Sequence, residues 1–142
     1  MIKINIERDS LRSTLRMLDK ATPRFSRSDV NKLIATAGHA NVMKHFSDER
    51  GPDGKWKSWS SEYAERMNAK GKGGNKILQD TGNLRQTVKP GHSDSEAYIL
   101  ADSEYAAAHN FGTSKLPKRE FMFIDDDGFE KIENGILKIL GV

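Results

Sequence analysis

Three consecutive aspartates, Asp125, Asp126 and Asp127, are the densest group of carboxylates in the chain and raise the question of a hard-cation site. Adjacent residues on a helix point about 100° apart, and no spaced ligand set such as an EF-hand accompanies them, so helix capping is the better account. His39 and His45 are six apart, which does not fit the i, i+4 histidine pair of a zinc site, and no general-base glutamate lies between histidines. Both read as surface or packing histidines of a helix. His109 followed by Asn110 invites comparison with metal-dependent nucleases in which an imidazole activates water. That chemistry needs a further ligand at defined spacing, and the surrounding YAAAHNFGT supplies none, so His109 reads as a hydrogen-bonding residue that fixes the turn before Gly112. No G-x-S-x-G elbow supports a serine hydrolase. The run KGKGGNK, residues 70–76, lacks the spacing of a P-loop, so its Lys70, Lys72 and Lys76 offer contacts to a phosphate backbone but no nucleotide site. Trp56 and Trp59, three apart and close to this basic run, either stack single-stranded bases or pin the loop to the core, and pinning is the commoner role. No catalytic set and no metal or other cofactor is expected.

The elements that must position these residues are legible from patterning. The chain has 142 residues, 36% hydrophobic and 30% charged, a size that suits one domain, 1–142, with long polar loops. It has no cysteine, which excludes disulfides and thiolate metal sites. No apolar stretch approaches the roughly 18–20 residues of a membrane span, and MIKINIERDS lacks the pattern of a secretory leader, so neither membrane insertion nor secretion is expected. Residues 1–92 hold 18 Lys/Arg against 10 Asp/Glu, a balance of +8, while residues 93–142 hold 5 against 10, a balance of −5. Such asymmetry steers nucleic acid, brings unlike surfaces of neighbouring subunits together, or is simply solvated.

Ile2, Ile4 and Ile6 alternate with polar residues and predict a strand. Leu11, Leu15 and Leu18 line one face of a helix capped by Asp9 or Ser10 and stopped by Pro23. A second helix is predicted from about Ser26–Ser28 to Asp48, with Asp29 in its first turn. Val30, Leu33, Ile34 and Ala37 form one stripe, but Val42, Met43 and Phe46 fall elsewhere past Gly38. Either the helix bends at Gly38 or its later half is covered from two sides, and two-sided cover is preferred, since a subunit in a ring needs an apolar surface beyond its own core. Residues 50–76 are predicted to be largely a mobile loop with a short helix near Ser60–Met67. Thr87–Val88 and Ala97–Ala101 predict a hairpin around a Pro-Gly turn, Glu120–Ile124 a further strand, and Phe129, Ile132, Ile136 and Ile139 a final helix. The expected class is α+β, a small antiparallel sheet packed against two or three helices.

Three segments then resemble one family. ILQDTGNLRQTV at residues 77–88 presents Leu78, Thr81, Gly82 and Leu84; YAAAHNFGT at 105–113 presents Tyr105, Ala106, His109 and Gly112; LPKREFMFI at 116–124 presents Pro117, Arg119 and Phe121. With the Gly and Trp segment GPDGKWKSWS at 51–60, their order and spacing are similar to the phage virion morphogenesis family, the tail-completion proteins of Mu-like and P2-like phages. The resemblance implies a structural, non-enzymatic role at the head-proximal end of the tail. It also implies other tail or neck proteins as partners, self-assembly into an oligomer such as a ring, and a location in the host cytoplasm and then the virion. It brings no catalytic residue. At the matched positions, Gly82 and Gly112 free the backbone, and Pro117 fixes φ before a strand. Leu78, Leu84, Tyr105 and Phe121 pack the core face of the sheet, and Arg119 offers a planar fork to carbonyls, to a carboxylate or to a neighbouring subunit. The chief alternative is a small nucleic-acid-binding protein using residues 51–92, with affinity that falls steeply with salt.

Overall fold

Alternating isoleucines at the N-terminus form strand β1, Ile2–Asn5, in the computed structural model, which describes residues 1–21, 26–79 and 83–141. Together with β4 (Val88–His92) and β5 (Ala97–Ala101) it makes an antiparallel sheet in the order β1-β5-β4, with Ile99 at the centre facing Ile4 on one neighbour and Pro90 on the other. Ala97, Ile99 and Ala101 share one buried face of β5. Two alanines keep that face low, and this lets helix α2, Arg27–Asp48, lie close against it.

Helix α2 starts at a capping box in which Ser26 Oγ accepts from the Asp29 amide at 3.1 Å and Ser26 N–H donates to the Asp29 carboxylate at 3.3 Å. It runs without interruption to Glu49, whose φ of 52° ends it in the left-handed region. Helix α1 (Asp9–Lys20) and helix α6 (Asp126–Ile139) pack against one another, and α6 also packs on α2, so α2 is enclosed between the sheet and α6. The preferred two-sided cover of Val42 and Phe46 is therefore present, but the chain's own sheet and helix supply it, and no neighbouring subunit is needed. Gly38 is a point of close approach: a Cβ there would lie 2.5 Å from Ile6 Cδ1 and 3.3 Å from Ile124 Cδ1. Leu33, counted in the apolar stripe, is exposed, because it points away from both layers.

The α+β class is as expected; of the six helices among the described residues, four were predicted and two, at Asn83–Gln86 and Ala106–Phe111, were not. Several local expectations are corrected. Helix α1 is not capped by Asp9 or Ser10; its N-cap is Arg8, Asp9 pairs with Arg12 at 2.7 Å, and Ser10 Oγ donates to Glu133 at 2.6 Å. Pro23, the expected stop, lies outside the described residues, and α1 ends at Lys20. Pro90 and Gly91 sit within β4, so the hairpin turns instead at Ser93–Glu96, where Ser93 N–H donates to Glu96 O at 2.9 Å. Glu120–Ile124 is irregular and joins no sheet, since its amides are satisfied by a side chain. Residues 50–76 contain the two-residue strands β2 (Arg50–Gly51) and β3 (Gly54–Lys55), then helix α3 (Ser61–Ala69), whose N-cap Ser60 accepts from the Tyr63 amide at 3.2 Å. Two short helices complete the described chain, α4 (Asn83–Gln86) and α5 (Ala106–Phe111).

Candidate functional site

Beyond the end of α2, the segments at residues 56–58 and 110–122 are drawn together by polar anchors. Trp56 is buried edge-on against Phe46, with ring centroids 5.8 Å apart, and its Nε1 donates to Glu120 O at 2.9 Å. Asn110, at the end of α5, is 2% exposed, and its one Oδ1 accepts from both Phe121 N–H and Met122 N–H at 2.9 Å. Arg119 is buried and spends its fork on carbonyls, donating from Nε to Lys57 O at 2.9 Å and from Nη2 to Ser58 O at 3.2 Å. Of the three uses expected of this side chain the structure shows the carbonyl one, and the guanidinium faces the chain's own backbone instead of a neighbouring subunit. Gly112 adopts φ 77°, and a Cβ there would lie 2.9 Å from Lys118 N, so both conformation and space select glycine. Thr113 closes the turn by accepting from the amides of Lys115 and Leu116 at 3.1 and 3.0 Å.

These anchors frame a cavity of about 890 Å³, within the range of small-ligand and anchor sites. Leu78 and Leu84 come from the first family-like segment, Tyr105 and His109 from the second, and Leu116, Pro117 and Arg119 from the third, so the fold gathers all three at one groove. Thr81 and Gly82 lie outside the described residues. The groove is also lined by Trp59, just before α3, and by Tyr63 and Arg66 on that helix, with Trp59 edge-on to Tyr63 at 5.3 Å and the Arg66 guanidinium 5.6 Å from the Tyr63 ring. Leu78 holds φ 63°, a left-handed conformation that branched side chains rarely adopt, next to Gln79, whose Nε2 donates to Phe46 O at 3.1 Å.

Tyr105 is 63% exposed and so does not pack the sheet as expected; it lines the groove, while Phe121 and Ala106 are in the core and Leu84 lies at its margin. Pro117 precedes an irregular segment, not a strand. His109 fixes its turn through the main chain, its carbonyl accepting from Arg119 N–H at 2.9 Å, while the imidazole lines the groove. Burial, and then the Arg119 charge, hold that imidazole below the ordinary histidine pKa. The two tryptophans do not form one surface, since Trp56 belongs to the core and Trp59 to the groove. Among the three lysines offered for phosphate contact, Lys76 lines the groove but donates to Ser47 O at 2.9 Å and sits 3.8 Å from Glu49. Lys70 and Lys72 are not among the groove-lining residues.

The other polar candidates have structural partners. Asp125 caps α6 by accepting from Gly128 N–H at 2.7 Å and from Asn41 Nδ2 at 3.0 Å, and its neighbours pair with Arg8 and Lys131. Although burial opposes its ionisation, these hydrogen bonds hold Asp125 below the usual carboxylate range. His39 Nε2 lies 3.0 Å from Val88 O, and His45 stacks on Phe123 with centroids 3.9 Å apart. No group of three His, Cys, Asp or Glu positioned for a metal occurs among the described residues. The groove anchors that sequence inspection missed are Asn110 and the α3 wall. An asparagine directly before a Phe-Gly turn was the available signal for the first, and nothing local marks the second.

A sequence profile of the phage virion morphogenesis family matches residues 6–141. The Mu-like prophage FluMu G protein 1 of Haemophilus influenzae is 32% identical over 108 residues, which cover 74% of this chain and 73% of that protein. No solved structure matches the chain. No described helix is long and apolar enough to cross a membrane. The likeness carried by three short segments thus extends over nearly the whole sequence: the chain belongs to the phage virion morphogenesis family and acts in phage virion assembly.

Proposed function

We propose that the chain is a structural subunit that completes the phage tail or joins it to the head, acting through protein–protein contacts and without catalysis. One observation carries this reading. The segments that resemble the tail-completion proteins line one open groove that includes exposed Tyr105 and Leu116, and the buried Asn110 and Arg119 beside it are spent on shaping backbone. A surface whose hydrogen bonds are internally satisfied and whose rim is aromatic has the make-up of a docking site. Tails and necks are rotationally symmetric, so the subunit is expected to act as copies in a closed oligomer alongside other tail or neck proteins. Deleting its gene from the phage or prophage should yield filled heads and separate tails by electron microscopy, and normal infectious particles would contradict the assembly role.

A further inference from the structure

The groove carries a charge pattern that the assembly role alone does not require. Lys57, Arg66, Lys76, Lys115 and Arg119 line it, and no aspartate or glutamate is among the described lining residues. Arg119 and Lys76 are engaged with carbonyls, whereas Lys57, Arg66 and Lys115 take part in no ion pair among the described residues. Alongside these cations the lining holds apolar and aromatic side chains: Leu78, Leu84, Leu116 and Pro117, and the nearly perpendicular Trp59–Tyr63 pair.

From this we infer that the groove binds a short acidic segment of a virion protein, one apolar or aromatic side chain seated between Leu116 and the Trp59–Tyr63 corner and its carboxylates on Lys57, Arg66 and Lys115. The inference rests on the protein-contact reading and names the chemistry of the partner. Carboxylate is the complement of an unbalanced set of cations beside low-dielectric walls, where such pairs gain strength over exposed ones. A fully seated hydrophobic or aromatic anchor is what gives a small interface its affinity. Nucleic acid fits less well. Bases stack on flat, accessible rings, but Trp59 and Tyr63 meet at 72° and Leu78, Leu84, Leu116 and Pro117 interrupt the aromatic lining, which shapes a pocket for a side chain and not a platform.

The test uses the purified full chain and three fluorescein-labelled probes: a glutamate-rich peptide with one phenylalanine and one leucine, the same peptide with glutamines for glutamates, and an oligothymidylate of about twelve nucleotides. Binding is read by polarisation and, with unlabelled probes, by the fluorescence of Trp59. The acidic peptide should bind at least about tenfold more tightly than the glutamine peptide and more tightly than the oligothymidylate, and should weaken as salt rises. Arg66→Glu combined with Lys115→Glu, both exposed positions, should cost about tenfold or more, while the equally exposed Lys32→Glu on α2 leaves binding unchanged. Equal binding of the two peptides, tighter binding of the oligothymidylate, no binding by about 1 mM, or an equal loss in the Lys32→Glu control would each overturn the inference. If any of these occurs while gene deletion still separates heads from tails, the groove assignment fails and the assembly role stands.

Discussion

Asn110 holds two main-chain N–H groups with a single carbonyl oxygen, and in doing so it ties the end of α5 to the segment that follows the groove-lining Arg119. A sheet would have satisfied the Phe121 and Met122 amides in pairs; here one buried amide side chain replaces a strand, which explains why Glu120–Ile124 has the composition of a strand but not its pairing. Truncation to alanine would leave both donors without a partner in a site closed to water. Asn110→Ala should therefore lower the free energy of unfolding by about 2–4 kcal/mol in urea denaturation, and a loss under about 1 kcal/mol would show that this clamp is dispensable. Arg119 works by the same logic on the other side, tying the groove's floor to the main chain after Trp56. Tyr105 makes the opposite point. Its large apolar area is exposed, which is what the proposed docking role asks of a residue in a family-like segment.

At the scale of elements, helix α2 is the axis on which the sheet, α1, α6 and the groove are hung. Its two faces are buried against different layers, so its apolar residues do not follow one stripe, and the drift past Gly38 that the sequence displays is the mark of a central helix. Polar pins fix its register: Asn31 Nδ2 donates to Ser93 O at 2.8 Å in the β4–β5 turn, and Asn41 Oδ1 accepts from Asp125 N–H at 3.0 Å before α6. His45 joins α2 to the segment that follows Arg119 by stacking on Phe123 and lying 3.1 Å from its carbonyl. Burial is the chief cause that holds this imidazole below the ordinary 6.5, opposed by the hydrogen bond to Phe123. In the window just below pH about 6.5 the unfolded chain then binds more protons at this site than the folded one. The contribution is fully present above that pH and is lost as pH falls toward the lower folded value. The urea midpoint should fall from pH about 7 to about 5, and the slope should flatten in His45→Gln; an unchanged slope would mean that His45 does not titrate out of the fold. Asp125, held below the carboxylate range, acts in the same direction only at more acid pH.

Across the whole molecule, the hydrophobic core runs without a break from Ile6 through α1, α2, the sheet and Phe121 to Ile132 and Ile136, so residues far apart in sequence share one interior. Arg8 donates from Nε and Nη2 to Glu133 at 2.9 and 3.0 Å, joining the entry to α1 with α6. A chain closed in this way should unfold as one domain, with the transitions followed by far-ultraviolet circular dichroism and by tryptophan fluorescence coincident in urea; separated midpoints would divide the groove region from the sheet and helices. What was readable beforehand follows from interactions between near neighbours in sequence. Alternating isoleucines made β1, the Ser26–Asp29 spacing made the capping box, and the three, four and three intervals after Asp125 made α6, because periodicity and capping act within one or two turns. The groove is of another kind. Its walls come from residues 57–66, from 76, 78, 83 and 84, and from 103–119, its clamps join Arg119 to residues about sixty positions away, and Trp56 and Trp59, three apart in the chain, were assigned to different surfaces by what packed against each. By itself the sequence determined the class of fold, most of its helices and the family; tertiary packing alone decided which polar side chains would be consumed as anchors and which cations would be left facing an open cavity. The physical reason is that satisfying a buried amide depends on partners distant along the chain, which no local spacing encodes.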